Sequence, residues 1–241
     1  MNDDLPAIAN KIYQSDAYKI NVILDSLGVN FYAFNRNYHE LRNVLVATGD
    51  PKVMLELSDI EKRADLWVVV DEVIRLMHNY LASVKSLVDN TRVLIKKYWP
   101  GNKSFPNEYR HEVSVRFAND PLAQFIEALR NEALHHSHLA VVANFSIYFD
   151  QATGKQVFKP SMILNKAALN TVASGWNPLA RQYLTSMLDN IDISSIVDEY
   201  YQKVVEFHKW IRARIRELHS DELAWLEEAS SRIETALDKY K

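Results

Sequence analysis

The sequence feature that most constrains this chain is the run 58–99, which contains neither glycine nor proline. Its apolar residues recur at alternating spacings of three and four, as on one face of an α-helix. One such stripe comprises Ile74, Met77, Leu81, Val84, Val88 and Ile95. A neighbouring stripe, which repeats every seven residues, comprises Leu66, Val73, Tyr80, Leu87 and Leu94. Two adjoining stripes predict a long helix buried over a wide face, as in the centre of a helical bundle. Ser58, with Glu61 three residues later, is a typical N-cap for this helix.

The rest of the chain also favours helices, since only 5 glycines and 7 prolines leave little material for the many turns of an all-β fold. We predict helices over 6–27, ended by Gly28, and over 29–47, ended by Gly49, Asp50 and Pro51. A shorter helix is predicted over 107–117, and Asp120 with Pro121 is typical of the start of the next. Another begins at 177–178, and an apolar stripe from Ile193 predicts a long final helix that continues towards the C-terminus.

One segment has a different period. Residues 141–149 are rich in β-branched and aromatic side chains, 151–155 supply a turn, and apolar residues return over 157–164. This pattern predicts a β-hairpin, in which Pro160 is tolerable only at an edge or a bulge.

Together these segments predict a mainly α fold, an up-and-down helical bundle with long helices and a single β-hairpin insertion. We expect one domain, 1–241, made of an N-terminal helical pair (1–57), a bundle core (58–138), the hairpin (139–165) and C-terminal helices (177–241).

Composition excludes several classes of protein. The chain has no cysteine, which removes disulfide frameworks and thiolate metal sites and suits a reducing cytoplasm. We find neither a signal peptide nor an apolar run long enough to span a membrane, so we expect a cytoplasmic protein with no membrane partner. A net charge of -3 argues against a wholly basic nucleic-acid binder but leaves room for a local basic surface.

The stretch 125–138 is the strongest candidate for a functional site. Phe125, Ile126 and Leu129 have the spacing of a buried helix face. The same helix carries Arg130, Asn131 and His135, with His136 and His138 as possible accessory residues. An arginine and a histidine held on a core helix are costly to desolvate, which makes this cluster a candidate site.

The chemistry of these side chains suits RNA cleavage. A histidine that titrates near neutrality can take the proton of the 2′-OH or protonate the leaving oxygen. An arginine can stabilise the charge that develops on phosphorus, and the amide of Asn131 could orient the histidine or bind phosphate. Five residues rotate a helix by about 500°, so Arg130 and His135 point roughly 140° apart. A composite site therefore needs a bend after the helix or a second copy of the chain.

The motif Arg130-Asn131 followed by His135 resembles that of the HEPN family, an arginine and a histidine separated by four to six residues. A long preceding helix and Leu129 directly before the arginine agree with it, and His136 satisfies the looser spacing. The resemblance covers about 58–138. It implies a helical bundle that dimerises and brings two motifs together, without a cofactor. It further implies metal-independent endoribonuclease activity in toxin–antitoxin, phage-defence or RNA-processing settings, with an antitoxin protein as a partner. Many members of the family instead bind RNA or scaffold without catalysis.

Basic residues upstream of the motif could bind the RNA backbone: Lys96, Lys97, Arg110 and Arg116. Tyr98, Trp99 and Tyr109 are interleaved with them and could stack on bases. A solvated helix end, with lysines near the C-terminal dipole, explains the lysines equally well.

Two alternatives to a nuclease site stay open. Arg130 could simply pair with Glu127 or Glu132, and a histidine near a helix end could cap carbonyls. The Glu-x-x-His spacing of Glu108 with His111 and of Glu132 with His135 also occurs in di-iron bundles, but we find no matching glutamates. Three histidines of the motif region could bind zinc, though a fourth ligand is not evident. We therefore predict no metal.

Overall fold

The computed structural model describes residues 5–100, 104–135 and 139–238, without the side chain of His135. Its helices are α1 (Leu5–Gln14), α2 (Asp16–Thr48), α3 (Pro51–Leu57), α4 (Arg63–Tyr98), α5 (Ser104–Val113), α6 (Pro121–His135), α7 (Lys166–Val172), α8 (Pro178–Ser186), α9 (Ile193–Leu218) and α10 (Ser220–Asp238). Its strands are β1 (Val141–Asp150), β2 (Lys155–Leu164) and β3 (Ile191–Asp192). The predicted mainly α fold with one hairpin is confirmed, and β3 lengthens the hairpin into a small antiparallel sheet. Within the described ranges, no helix combines the length and apolar character needed to cross a bilayer.

The chain divides into two compact units, one made of Met1–Tyr32 with Glu206–Lys241 and the other of Ala33–Val205. The first contains a small core of Ile12, Ala17, Leu226 and Ala229. The second contains the sheet and α6. That the chain is one domain stays a prediction.

Gly28 does not end a helix, contrary to the prediction, because α2 runs through it. An added Cβ at Gly28 would lie 3.0 Å from Nη1 of Arg212, and that nitrogen donates to the carbonyl oxygen of Leu24 at 2.8 Å. Because Gly28 has no side chain, Arg212 of α9 can reach the backbone of α2. The N-terminal helix ends instead at Gln14. Ser15 follows it, and its hydroxyl donates to Ile12 O (2.6 Å) and accepts from the backbone N–H of Tyr18 (3.1 Å).

The long helix begins later than predicted. Ser58 follows the end of α3, and its hydroxyl donates to the carbonyl of Leu55 at 2.8 Å instead of capping α4. Asp59 caps the short turn that precedes Arg63, accepting from the backbone N–H of Glu61 at 3.1 Å. Most residues of the two stripes are at least partly buried, but Val88 is exposed.

Two other helix predictions need correction. The helix predicted over 107–117 begins earlier, at Ser104, and gives way to a π-helical turn over Ser114–Ala118. The long C-terminal helix is interrupted at His219, between α9 and α10, although no glycine or proline marks the break.

In the unit Ala33–Val205, a group of aromatic rings joins α2 to α9. Tyr38 stacks on Tyr201 with ring centroids 3.6 Å apart and planes 5° from parallel. The Tyr38 hydroxyl donates to Asp198 at 3.0 Å, and Arg42 pairs with the same carboxylate at 2.9 Å. Beneath them Tyr80 is completely buried.

In the unit Met1–Tyr32 with Glu206–Lys241, α9 places a histidine against α2. Nε2–H of the buried His208 donates to the carbonyl of Leu27 at 3.1 Å, and its ring stacks on Phe31 with centroids 4.3 Å apart. Burial lowers the pKa of His208 to about 4, and the charge of Arg212 acts in the same direction.

We expect His208 to make stability depend on pH. Between pH 6.5 and about pH 4, His208 is protonated in the unfolded chain but neutral in the folded chain. The free energy of unfolding should be constant above this window and fall across it by about 2–3 kcal/mol as the pH decreases. Urea unfolding from pH 8 to pH 4 measures this loss.

The matched control is His208→Gln, because glutamine can donate to Leu27 O but does not titrate. The variant should lose less stability across the window, because residue 208 no longer titrates. The same pH dependence in both proteins would contradict the prediction.

Candidate functional site

The first turn of α6 is held by Asp120, as the sequence predicts. Its carboxylate accepts from the backbone N–H of Ala123 at 2.8 Å and pairs with Lys203 at 2.9 Å. Pro121 occupies the first helical position, where no N–H is needed. This capping fixes the start of α6.

The apolar face of α6 packs into the core of its unit. Phe125, Ile126 and Leu129 are all buried, which confirms the predicted face. The ring of Phe125 lies against those of Tyr183 and Trp176, with centroids 4.9 and 5.7 Å away.

Arg130 is buried on the same helix and is only partly satisfied. Its residue exposure is 7%, and Nη2 donates to Oε1 of Glu127 at 2.5 Å and to Oδ1 of Asn131 at 2.6 Å. Nε and Nη1 are buried and have no acceptor among the residues that the structure describes. Buried N–H groups without acceptors cost stability, about 1–3 kcal/mol each. The pairing with Glu127, one of the alternatives seen in the sequence, is therefore present but does not use all of the guanidinium.

The charges beside Arg130 are unevenly placed. Glu127 is a partly exposed carboxylate, with a side-chain exposure of 47%. Tyr200 of α9 is buried, and its pKa is raised first by burial and then by the charge of Glu127, so it stays neutral. The counter-charge that Arg130 contacts therefore comes from the solvent-facing side of α6.

A pocket of about 830 Å³ lies beside the motif. Its walls come from α6 and from the segment before α8: Glu127, Ala128, Asn131, Glu132, Val172, Ser174, Gly175, Trp176 and Asn177. The lining contributes two carboxylates, two amides and an indole, so it offers hydrogen-bonding groups beside a flat ring. Arg130 touches two residues at the pocket, Glu127 and Asn131, but is not itself part of the lining.

Sequence reasoning missed Trp176 and Asn177, which reach the pocket from beyond the hairpin. Asn177 caps α8 by accepting from the N–H of Ala180 at 2.9 Å, and its amide donates to Gln124 of α6 at 2.7 Å. No periodicity joins these positions to the motif. Asn177 could be identified only as the N-cap of a helix, which is its local role.

The predicted histidines lie mostly outside the described part of the chain. His135 is the last residue of α6, but its side chain is not among those described, and neither are His136 and His138. Asn131 is exposed and touches Arg130. The structure thus brings together the arginine and the amide of the motif, and the part of the histidines stays a prediction.

The predicted RNA-binding residues differ in their exposure and in whether they already have partners within the protein. Lys96 and Lys97 are exposed at the end of α4. Arg110 is exposed and donates to the side chain of Asn107 and to the carbonyl of Pro106. Arg116 is partly buried and pairs with Glu112 at 2.7 Å, so much of its charge is neutralised within its own segment.

Over the residues that the structure describes, no three histidine or acidic side chains lie close enough to hold a metal ion. No protein family, no curated protein and no solved structure matches the chain.

We expect Arg130→Met to raise the free energy of unfolding by about 1–3 kcal/mol. Methionine fills a similar volume without burying unpaired N–H groups, and Glu127 is exposed enough to be hydrated once its partner is gone. Urea unfolding of the two proteins gives the difference.

The control is Arg75→Met, because Arg75 pairs with Glu72 at the same three-residue spacing but on an exposed face. Its effect should stay within about 0.5 kcal/mol. A loss of more than about 2 kcal/mol in Arg130→Met would instead mean that the buried pair with Glu127 stabilises the fold.

Proposed function

We propose that this chain is a HEPN-like, metal-independent endoribonuclease whose site is Arg130, Asn131 and His135. The observation that carries the proposal is the position of Asn131, which contacts the guanidinium of Arg130 and also lines the adjacent pocket. Asn131 thus connects a buried cation with spare donors to a space that a ligand can enter.

In this proposal Arg130 stabilises the reacting phosphate. Nη2 is already held by Glu127 and Asn131, while Nε and Nη1 have donor capacity that no described residue uses. A phosphate oxygen would compete with the half-exposed Glu127 for the guanidinium and draw the arginine outward. The glutamate then neutralises the buried cation when RNA is absent.

The pocket fits an unpaired base better than it fits a phosphate. Glu127 and Glu132 would repel an anion but can accept from the amino groups of a base. Trp176 offers an aromatic ring, and unstacked bases of single-stranded RNA bind on such rings with hydrogen bonds to their edges. We therefore assign base binding to the pocket and phosphate contact to Arg130.

His135 is assigned the proton transfers on the strength of the motif alone. The 2′-OH of the substrate attacks the neighbouring phosphorus, its proton passes to a base, and the leaving 5′ oxygen is protonated. The products are a 2′,3′-cyclic phosphate and a 5′-OH, with no metal required. Lys96, Lys97 and Arg110 are exposed cations that could bind the strand nearby.

The test is to incubate the pure protein with single-stranded and structured RNA in EDTA. We expect cleavage with cyclic-phosphate ends, and DNA of the same sequence should stay intact. Arg130→Ala and His135→Ala should each slow cleavage by about 100-fold or more, because each removes a group that acts in the transition state. Glu127→Gln should lower the RNA concentration at half-maximal rate, because the competing carboxylate is gone.

Matched controls are Arg75→Ala and His111→Ala, an exposed arginine and an exposed histidine on other helices. Both should cleave like the unaltered protein. Cleavage that survives both motif substitutions, or an unaltered protein that leaves every RNA intact, would contradict the proposal.

A second candidate is a non-catalytic dimer of the same kind that binds RNA or a protein, and the burial of Arg130 favours it. A guanidinium with 7% exposure that already pairs with a carboxylate is largely out of reach of a substrate phosphate. Intact RNA, together with binding that weakens with salt and is lost when Lys96, Lys97 and Arg110 are replaced by glutamate, would support RNA binding without cleavage.

A further inference from the structure

The β1–β2 hairpin is buried at its base and exposed along its outer half. Val141 and Leu164, which pair at the base, are both buried. Further out, Ile147 and Phe149 of β1 are 62% and 65% exposed. Large apolar side chains exposed together on one strand mark an interaction surface.

The outer edge of β1 also carries unpaired backbone groups. Asn165 N–H donates to Ala140 O at 2.9 Å, so 140–165 is a hydrogen-bonded pair and the pairs alternate along the ladder from there. Phe145 opposite Pro160 and Ile147 opposite Phe158 are therefore non-hydrogen-bonded pairs, whose N–H and C=O groups on β1 point away from β2. Within the described ranges no strand pairs with that edge.

The two edges of the hairpin differ in how they are protected. On β2 the ring nitrogen of Pro160 faces the outer edge and cannot donate, Lys155 and Lys159 are exposed, and β3 covers the end near Leu164. Proline, lysine and a covering strand are the usual devices that prevent edge pairing. The run 141–149 of β1 has no proline and no charge.

We propose that β1 pairs with β1 of a second copy of this chain. The two strands run antiparallel about a two-fold axis at Phe145, which makes one continuous sheet from two hairpins. In this register Val141 lies opposite the partner's Phe149, Ala143 opposite the partner's Ile147, and Phe145 opposite its own copy. The outward-facing residues from Ala143 to Ile147 are then hydrogen-bonded over about 14 Å of strand, while the N–H of Val141 keeps its own bond to the carbonyl of Leu139 at 2.8 Å.

Side-chain chemistry favours a second copy as the occupant. The facing residues in this register are uncharged on both strands, so no like charges meet. Asp150, the charged residue at the end of β1, falls opposite the partner's Ala140. Pairing also continues the apolar face on which Phe145 already stacks with Phe158, their centroids 6.1 Å apart.

The assembly stops at two chains. An antiparallel pair about a two-fold axis uses the same edge of each protomer, so neither copy has an open β1 edge left. The opposite edge of the sheet is the one protected by Pro160, Lys159 and β3. A closed dimer therefore removes the aggregation hazard of an exposed strand.

The experiment measures the mass of the full chain by sedimentation velocity over a range of concentrations, with Phe145→Lys and Phe145→Glu beside the unaltered protein. The unaltered chain should dimerise. Each variant alone places two like charges opposite one another at the axis and should raise the dimer Kd by at least about tenfold. An equal mixture of the two should restore dimers, because lysine then faces glutamate.

Recovery in the mixture shows that both variants are folded. Gln156→Lys is the matched control, since it adds the same charge on β2, opposite Phe149 and one pair in from the turn, with its backbone groups on the protected edge. It should dimerise like the unaltered chain. Ile147→Pro removes an outward N–H without breaking the β1–β2 ladder and should also give monomers.

A monomeric unaltered chain, a Phe145→Lys variant that dimerises normally, or a mixture that stays monomeric would each overturn the proposal. None of these substitutions touches Arg130, Asn131 or the pocket. The failure of β1 pairing and the failure of RNA cleavage are therefore measured separately.

Discussion

The candidate site depends on one interaction. The buried guanidinium of Arg130 is neutralised by a carboxylate on the solvent-facing side of α6. Glu127 does this at 2.5 Å, and Asn131 supplies the second acceptor. The remaining guanidinium nitrogens are buried and have no acceptor among the described residues, and burial raises the pKa of Tyr200, which therefore stays protonated. The unpaired, buried N–H groups of Arg130 therefore lower the stability of the fold.

The long helices follow from the sequence because their apolar spacing is itself the packing constraint. Val73, Tyr80 and Leu87 of the predicted stripe are all buried in α4. Helix ends were harder to predict, since they depend on hydrogen bonds that several residue types can make. Ser58 has the residue type of an N-cap, yet it follows the C-terminus of α3.

Gly28 shows why some positions cannot be interpreted locally. In the sequence Gly28 is typical of a helix end. In the structure it leaves room for Arg212, nearly two hundred residues away, to bond to the backbone of α2. The break at His219 has no glycine or proline to mark it. In both places the deciding information lies in a distant part of the chain or in backbone geometry.

The site was predictable in part. The sequence predicted a helix with a buried face that carries Arg130 and Asn131, which the structure confirms, and the pairing with Glu127 was one of the alternatives. That these residues form a catalytic site stays a prediction. The pocket was not predictable, because Trp176 and Asn177 meet α6 only through the fold. The sequence pattern of residues 141–164 predicted the two strands. The alternation of hydrogen-bonded pairs between β1 and β2 then indicates which backbone N–H groups of β1 point away from β2.

The contacts around Gly28 have a mechanical consequence. His208 and Arg212, one turn apart on α9, bond to the carbonyls of Leu27 and Leu24, which lie about one turn apart on α2. Sliding one helix past the other by a turn, about 5.4 Å, would leave one of these side chains without its acceptor and drive the guanidinium into residues larger than glycine. In this part of the chain, these two hydrogen bonds and the close contact at Gly28 therefore resist sliding of α9 along α2, so the two segments are expected to move as one body.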